Sequence, residues 1–333
     1  MISKRKIDKI GDILKEKESL DASDLNQLLE WRNSFSSTLD YYFSKLKVKI
    51  DKNDAILFAR RLKRIESIQI KLKRFSTMRL STLQDIAGLR VILKNEIGLN
   101  KAYTNLRVQS GKHKIKKVDD YHNRPKKDGY RGIHLIYQTE NSILVEVQLR
   151  TELEHIWSTA VETYGELQQA SFKTGEGDEK WKEFFKLLSS YFALKENSNP
   201  LEEHLKLSNK KILSNLKKYI RDLKVIEKLN AATNNVEVVL NKHNKTGRMG
   251  RYALVELDIK NSKTTVEIFN KKDVDKAIQI YTEKELGYKE NDSKNIVFVN
   301  IDDIENIKKS FPNYFLDTHK LLEILSKIIL NEF

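Results

Sequence analysis

The chain reads as an α+β protein, and three stretches carry that reading. Residues 86–93 and 143–149 are short β-rich runs, the second alternating apolar and polar side chains. Residues 152–169 return to the three-to-four-residue apolar spacing of a helix. Helix, strand, loop, strand and helix in that order predict a central mixed sheet flanked by helices.

The elements follow in sequence. Residues 1–50 are helical, with Ile7, Ile10, Ile13 and Leu14 on one stripe and Leu25, Leu28, Leu29, Trp31 and Phe35 on a second. Cap-type residues from Asp21 to Asp24 separate them. A helix starting near Ile65 puts Ser67, Lys71 and Arg74 on one face and Ile68, Leu72 and Phe75 on another. Residues 180–229 are helical and charged, broken near 197–200. A polar, glycine-bearing connection at 241–250 leads to strands at 252–259 and 264–269. A helix at 274–286, a strand at 296–299 and a helix at 318–330 complete the chain, with the aromatic turn 311–316 read as a helix-capping core element. The expected division is 1–200, a helical connector at 201–240 and a small α+β unit at 241–333.

Composition narrows the class. At 333 residues, two domains are the default. Lys and Arg number 61 against 47 Asp and Glu, giving +14, which suits anionic partners or a highly solvated surface. With no cysteine, disulfides and thiolate metal sites are excluded. A charged N-terminus and the lack of an apolar run near ~20 residues predict a cytoplasmic protein without a membrane span.

The chemistry concentrates between Arg60 and Glu162. Eight Lys or Arg stand against one acid, Glu66, in residues 60–79. Such a cluster can hold a triphosphate, Arg giving paired donors and Lys a point charge; the plainer reading is a solvated helix face. Asp85 opens one strand and Glu146 lies between apolar neighbours in another, where an inward carboxylate is costly unless paired or metal-bound; the plainer reading is that Asp85 caps a turn and Glu146 faces solvent on an edge strand. Two carboxylates beside a basic cluster suit Mg²⁺, which takes one or two carboxylates plus substrate phosphates. Tyr130, in a loop with Lys126 and Arg131, offers an exposed ring for a base, the plainer reading being a loop tyrosine packed against the domain surface. His134 and His155 lack metal-ligand spacing and read as hydrogen-bonding or core histidines.

Together these motifs resemble the synthetase domain of RelA/SpoT-type (p)ppGpp synthetases in its small stand-alone form, over roughly residues 31–196. The resemblance rests on Arg61-Leu62-Lys63 with Ser67 and Lys71, on Asp85-Ile86-Ala87-Gly88-Leu89-Arg90, on Lys126 with Gly129-Tyr130-Arg131 and His134, and on Glu146-Val147-Gln148-Leu149-Arg150-Thr151. It implies a nucleotidyltransferase-like fold and transfer of the β,γ-pyrophosphate of ATP to the ribose 3′-hydroxyl of GDP or GTP. Arg61, Lys63, Ser67, Lys71, Arg74 and Arg90 would bind ATP, with Arg61 and Arg90 flanking the adenine. Asp85 and Glu146 would be catalytic and hold Mg²⁺. Tyr130 would stack on guanine, and Lys126, Arg131, His134, Gln148, Arg150 and His155 would meet the acceptor.

The resemblance also carries an alternative. Some members modify the 3′-terminal adenosine of tRNA, under restraint by a fused domain that responds to a phage or other protein inducer. The surplus of Lys and Arg, including the basic stretch 112–117, and an unassigned C-terminal unit fit that branch; the sharper reading has that unit fold back over the ATP or acceptor site and restrain activity. Gly132 stands where many nucleotide-specific members have Ser, leaving the acceptor open; self-association is a further expectation. No histidine is followed by Asp and few residues precede Arg61, so no alarmone hydrolysis is expected. A catalytically dead nucleotide-binding or RNA-binding module is the third reading, disfavoured by Asp85 and Glu146.

Overall fold

The computed structural model describes residues 2–16, 20–108, 114–168, 179–234, 236–242, 252–287, 294–300, 307–309 and 311–332. Its first layer is a mixed sheet built from β1 (Ala55–Leu62), β2 (Ala87–Leu93), β3 (Lys114–Asp120), β4 (Ile133–Gln138) and β5 (Leu144–Thr151), ordered β1-β2-β5-β4-β3. β2 and β5 run parallel with Gly88 opposite Glu146, and the other pairs are antiparallel. The central strands bury Leu89, Val91, Leu135, Val147 and Leu149. α1 (Lys4–Glu16), α2 (Ala22–Asn33), α3 (Ser36–Lys49), α4 (Ile65–Arg74) and α5 (Glu96–Arg107) complete this core.

Local chemistry sets several boundaries. The Asp21 carboxylate accepts from Asp24 N and caps α2, as the cap-type residues foretold. α6 (Glu152–Gln168) starts on a reciprocal capping box, Thr151 N donating to Glu154 Oε2 at 2.9 Å and Glu154 N to Thr151 Oγ1 at 3.2 Å. β1 and β3 are strands where sequence gave a basic cluster and a basic stretch. β3 is a sheet edge, and its exposed Lys114, Lys116 and Lys117 are the charges that keep an edge from pairing with another chain. The rest of that stretch, Lys112 and His113, lies outside the described residues, as do 243–250 of the polar connection.

α7 (Glu179–Lys195), α8 (Asn209–Asp222) and α9 (Val225–Asn234) pack with α6 in a second core. A second sheet, ordered β6-β8-β7-β9, comprises β6 (Glu237–Lys242), β7 (Tyr252–Asp258), β8 (Lys263–Phe269) and β9 (Lys294–Asn300). α10 (Val274–Gly287) covers one face and the 3₁₀ turn Pro312–Phe315 the other. The last helix, α11 (His319–Leu330), cuts across the expected division. Its stripe Leu321, Ile324, Leu325 and Ile328 is buried among α6–α9, tying the C-terminal end to the helical core. Among the described residues no helix is long and apolar enough to cross a membrane.

Candidate active site

The strand order brings Asp85, just before β2, close to Glu146 on β5. Lys63 Nζ and Lys71 Nζ lie 2.9 Å and 3.0 Å from Asp85 Oδ2. Asp85 Oδ1 is buried and has no hydrogen-bond partner among the described residues. Burial alone would raise the Asp85 pKa, but the two ammonium groups outweigh it and hold the carboxyl down at about 2. Lys63 has one carboxylate to set against its own burial and the charges of Arg61 and Lys71, so its pKa falls below the ordinary lysine value.

Glu146 is held on both oxygens. His134 Nδ1 lies 3.0 Å from Oε1 and Gln148 Nε2 donates to Oε2 at 2.6 Å. Burial pushes its pKa up, and the bonds and charge of His134 and the bond from Gln148 bring the net value below the usual glutamate range. The inward carboxylate, costly unless paired, is paired.

Arg61, Arg90 and Arg150 converge beside these carboxylates. Burial first, then repulsion from Arg150 and Arg61, drives the Arg90 pKa well down, and Arg61 shifts the same way. Arg150 is 2 % exposed, and its Nε and Nη1 are buried without partners among the described residues. Under-neutralised guanidinium groups in a partly dry site form a receptor for a polyanion.

The family model described as "Region found in RelA / SpoT proteins" matches residues 60–169, the segment containing Asp85, Glu146 and the three arginines. That segment is similar to RelA/SpoT proteins. A GTP pyrophosphokinase from Haemophilus influenzae is 34% identical over 97 residues, 28% of this chain and 12% of that protein's length. Small alarmone synthetase 1 from Bacillus subtilis, solved bound to its product pppGpp, aligns at 23% identity over 50% of this chain and 93% of its own, with a TM-score of 0.44. A GTP pyrophosphokinase family protein from Streptococcus pneumoniae aligns at 24% identity over 50% of this chain and 90% of its own, with a TM-score of 0.42.

Within the matched segment several expected positions differ. Tyr130 is 8 % exposed rather than open, its ring edge-on to Tyr121, His134 and Trp157, with Lys126 Nζ and the Arg150 guanidinium 4.8 Å and 5.1 Å from its centroid. The loop reaches that depth because Gly129 has φ 95°, and a Cβ there would stand 3.0 Å from Trp157. Arg131 is tied up within the protein. It is buried, and its nitrogens donate to Ser189 Oγ at 3.2 Å, His122 O at 2.9 Å and Asn199 O at 2.7 Å, tying the loop to α7 and the segment after it. Arg74 is exposed at the end of α4 over the ring of Phe75, itself exposed rather than on the apolar face. Ser67 sits half-buried in the first turn of α4.

Residues that sequence did not select pack against the basic cluster. Glu285 on α10 accepts from Arg32 Nη1 at 3.0 Å and from Ile65 N, at the start of α4, at 2.6 Å. Arg64 Nη1 donates to Asn295 Oδ1 at 2.6 Å, Asn295 Nδ2 donates to Glu166 Oε2 at 2.5 Å, and the Arg64 guanidinium lies 5.9 Å from the Tyr314 ring centroid. His155 Nε2 lies 3.3 Å from the Lys309 carbonyl; burial and the charges of Arg90 and Arg150 push its pKa well below the histidine value. The aromatic turn is a core element, Tyr314 and Phe315 being buried, and it also faces the basic cluster. Its aromatic density was the one signal in sequence.

Proposed function

We propose that the chain is an ATP-dependent pyrophosphokinase that moves the β,γ-pyrophosphate of ATP to the ribose 3′-hydroxyl of GDP or GTP. One observation carries this reading: Asp85 and Glu146 stand beside Arg61, Arg90 and Arg150, and two buried nitrogens of Arg150 lack acceptors among the described residues. In the reaction, the 3′-oxygen bonds to the β-phosphorus as the bond from that phosphorus to the α,β-bridging oxygen breaks. AMP leaves with the bridging oxygen, and Glu146 takes the hydroxyl proton. Lys63, Lys71 and the guanidinium groups neutralise charge that spreads over the transferred oxygens.

Among the described residues no group of three or more His, Cys, Asp or Glu is placed for a metal. Mg²⁺ needs fewer, and the partnerless Asp85 Oδ1 with the Glu146 carboxylate fits a hard cation completed by substrate phosphates. When bound, Mg²⁺ would neutralise phosphate charge and draw the polyphosphate toward these two residues.

Two observations favour the tRNA alternative. The covered Tyr130 ring leaves guanine no open stacking face, and exposed Lys114, Lys116 and Lys117 on β3 offer phosphate contacts. In this reading the second sheet and its aromatic turn restrain the ATP side until an inducer competes for them. The test uses the full chain and Tyr314→Ala, each given γ-labelled ATP, Mg²⁺ and GDP, GTP or bulk tRNA. Labelled GDP or GTP supports the first reading and labelled tRNA the second; no labelled acceptor with either protein overturns both.

A further inference from the structure

Behind Glu146 runs one directed chain of hydrogen bonds. β4 pairs with β5 so that His134 is opposite Gln148 and Ile136 opposite Glu146. His134 and Glu146 are therefore diagonal neighbours on one sheet face, within reach of an imidazole. Arg150 Nη2 donates to Tyr130 Oη at 3.0 Å, and Tyr130 Oη lies 2.6 Å from His134 Nε2. Arginine can only donate, so the tyrosine oxygen accepts there, and its second contact is with Nε2. An ionised carboxylate can only accept, so the imidazole carries a proton on Nδ1, facing Glu146 Oε1 at 3.0 Å. Gln148 fixes the second carboxylate oxygen.

We infer that His134 is a positioning residue: with Gln148 it sets the rotation of the Glu146 carboxylate, and Tyr130 and Arg150 hold His134 in place. The inference rests on the proposed role of Glu146 as the group receiving the acceptor's proton. Glutamate has three rotatable bonds, and donors on both oxygens remove the freedom of its final torsion. An error of an ångström in such a group costs on the order of 10²-fold in rate. The buried Tyr130 ring fits this assignment, since a ring filling space behind a histidine needs no open face.

Two amides separate positioning from acceptor contact. In His134→Asn the amide nitrogen can stand near the Nδ1 position, whereas in His134→Gln it reaches the Nε2 position and leaves Glu146 without that donor. With the acceptor the wild type uses, His134→Gln and His134→Leu should lose kcat on the order of 10²-fold while the acceptor KM stays within about 3-fold. His134→Asn should keep roughly a tenth or more of wild-type kcat. A large rise in KM with kcat retained, or Asn no better than Leu, overturns the inference. A second readout needs no turnover: ¹⁵N spectra of histidine-labelled protein, with His134 assigned by its loss in His134→Asn. A proton on Nδ1 is expected, and a bare Nδ1 overturns the chain. If Nδ1 is protonated yet the wild type transfers nothing, the proposed reaction fails and the positioning geometry stands.

Discussion

Glu285 lies 3.0 Å from Arg32 although 253 residues separate them, and both side chains are almost wholly buried. Burial works against the Arg32 charge, but Glu285 and Tyr281 more than restore it, so the arginine pKa ends above its ordinary value. The same carboxylate receives Ile65 N, so α10 grips both α2 and the start of α4.

Removing one member of such a pair leaves an uncompensated buried charge, a loss of about 3–5 kcal/mol. Glu285→Ala should therefore lower the melting temperature and speed amide exchange in α4, and Glu285→Gln should do so less. An unchanged melting curve for Glu285→Ala would show that the pair holds nothing.

Tyr314 offers the sharper test of restraint. Deleting the C-terminal unit would strip α11 from the helical core, so a point change is cleaner. Tyr314→Ala should expose Arg61 and Arg64 and raise ATP affinity, measured by calorimetry. Equal affinity in the two proteins removes the turn from the ATP side.

Glu146→Gln should abolish transfer, a loss of about 10²–10⁴-fold for a removed general base, while leaving ATP binding within about 3-fold. Kinetics and calorimetry on one preparation check it, and turnover close to wild type would remove Glu146 from the mechanism.

Arg131→Met should behave oppositely. Three carbonyl or hydroxyl acceptors lose a charged donor, each bond contributing about 1.5–3 kcal/mol at most. Thermal unfolding should show a lower melting temperature, with acceptor KM little changed; a selective rise in KM would return Arg131 to the acceptor site.

Glu196 gives a pH signature. Burial first, then Glu154, raises its pKa from 4.5 to about 7, against the Thr151 hydrogen bond and His122. A carboxyl raised in the folded state costs nothing below pH 4.5. The cost grows as the unfolded chain ionises, and it is complete above about pH 7. Glu196→Gln should stabilise the fold at pH 8, by about 2 kcal/mol after allowance for partial exposure, and leave it unchanged near pH 4. Denaturant unfolding at both values decides it; equal effects at both would contradict the assignment.

Much of the centre was legible in sequence because its signals are local. Alternation marked β5, the Asp21 cap marked α2, and an inward Glu146 announced that it needed partners. What was illegible depends on distant neighbours. Arg131 looks like Lys126 in sequence, yet only the fold supplies the carbonyls that capture it. Tyr130 reads as a loop tyrosine until Trp157 and Arg150 arrive to bury it. β3 resembles a basic tail because an edge strand spends its exposed positions on lysine. Glu285 carries no local mark of its bond to Arg32.

The most direct measurement follows the fate of ATP. With Mg²⁺ and the acceptor that becomes labelled, AMP should form one-for-one with an acceptor that has gained two phosphates, and formation should stop in Glu146→Gln. ADP with an acceptor gaining one phosphate, or AMP with free pyrophosphate and an unchanged acceptor, would contradict pyrophosphate transfer at this site.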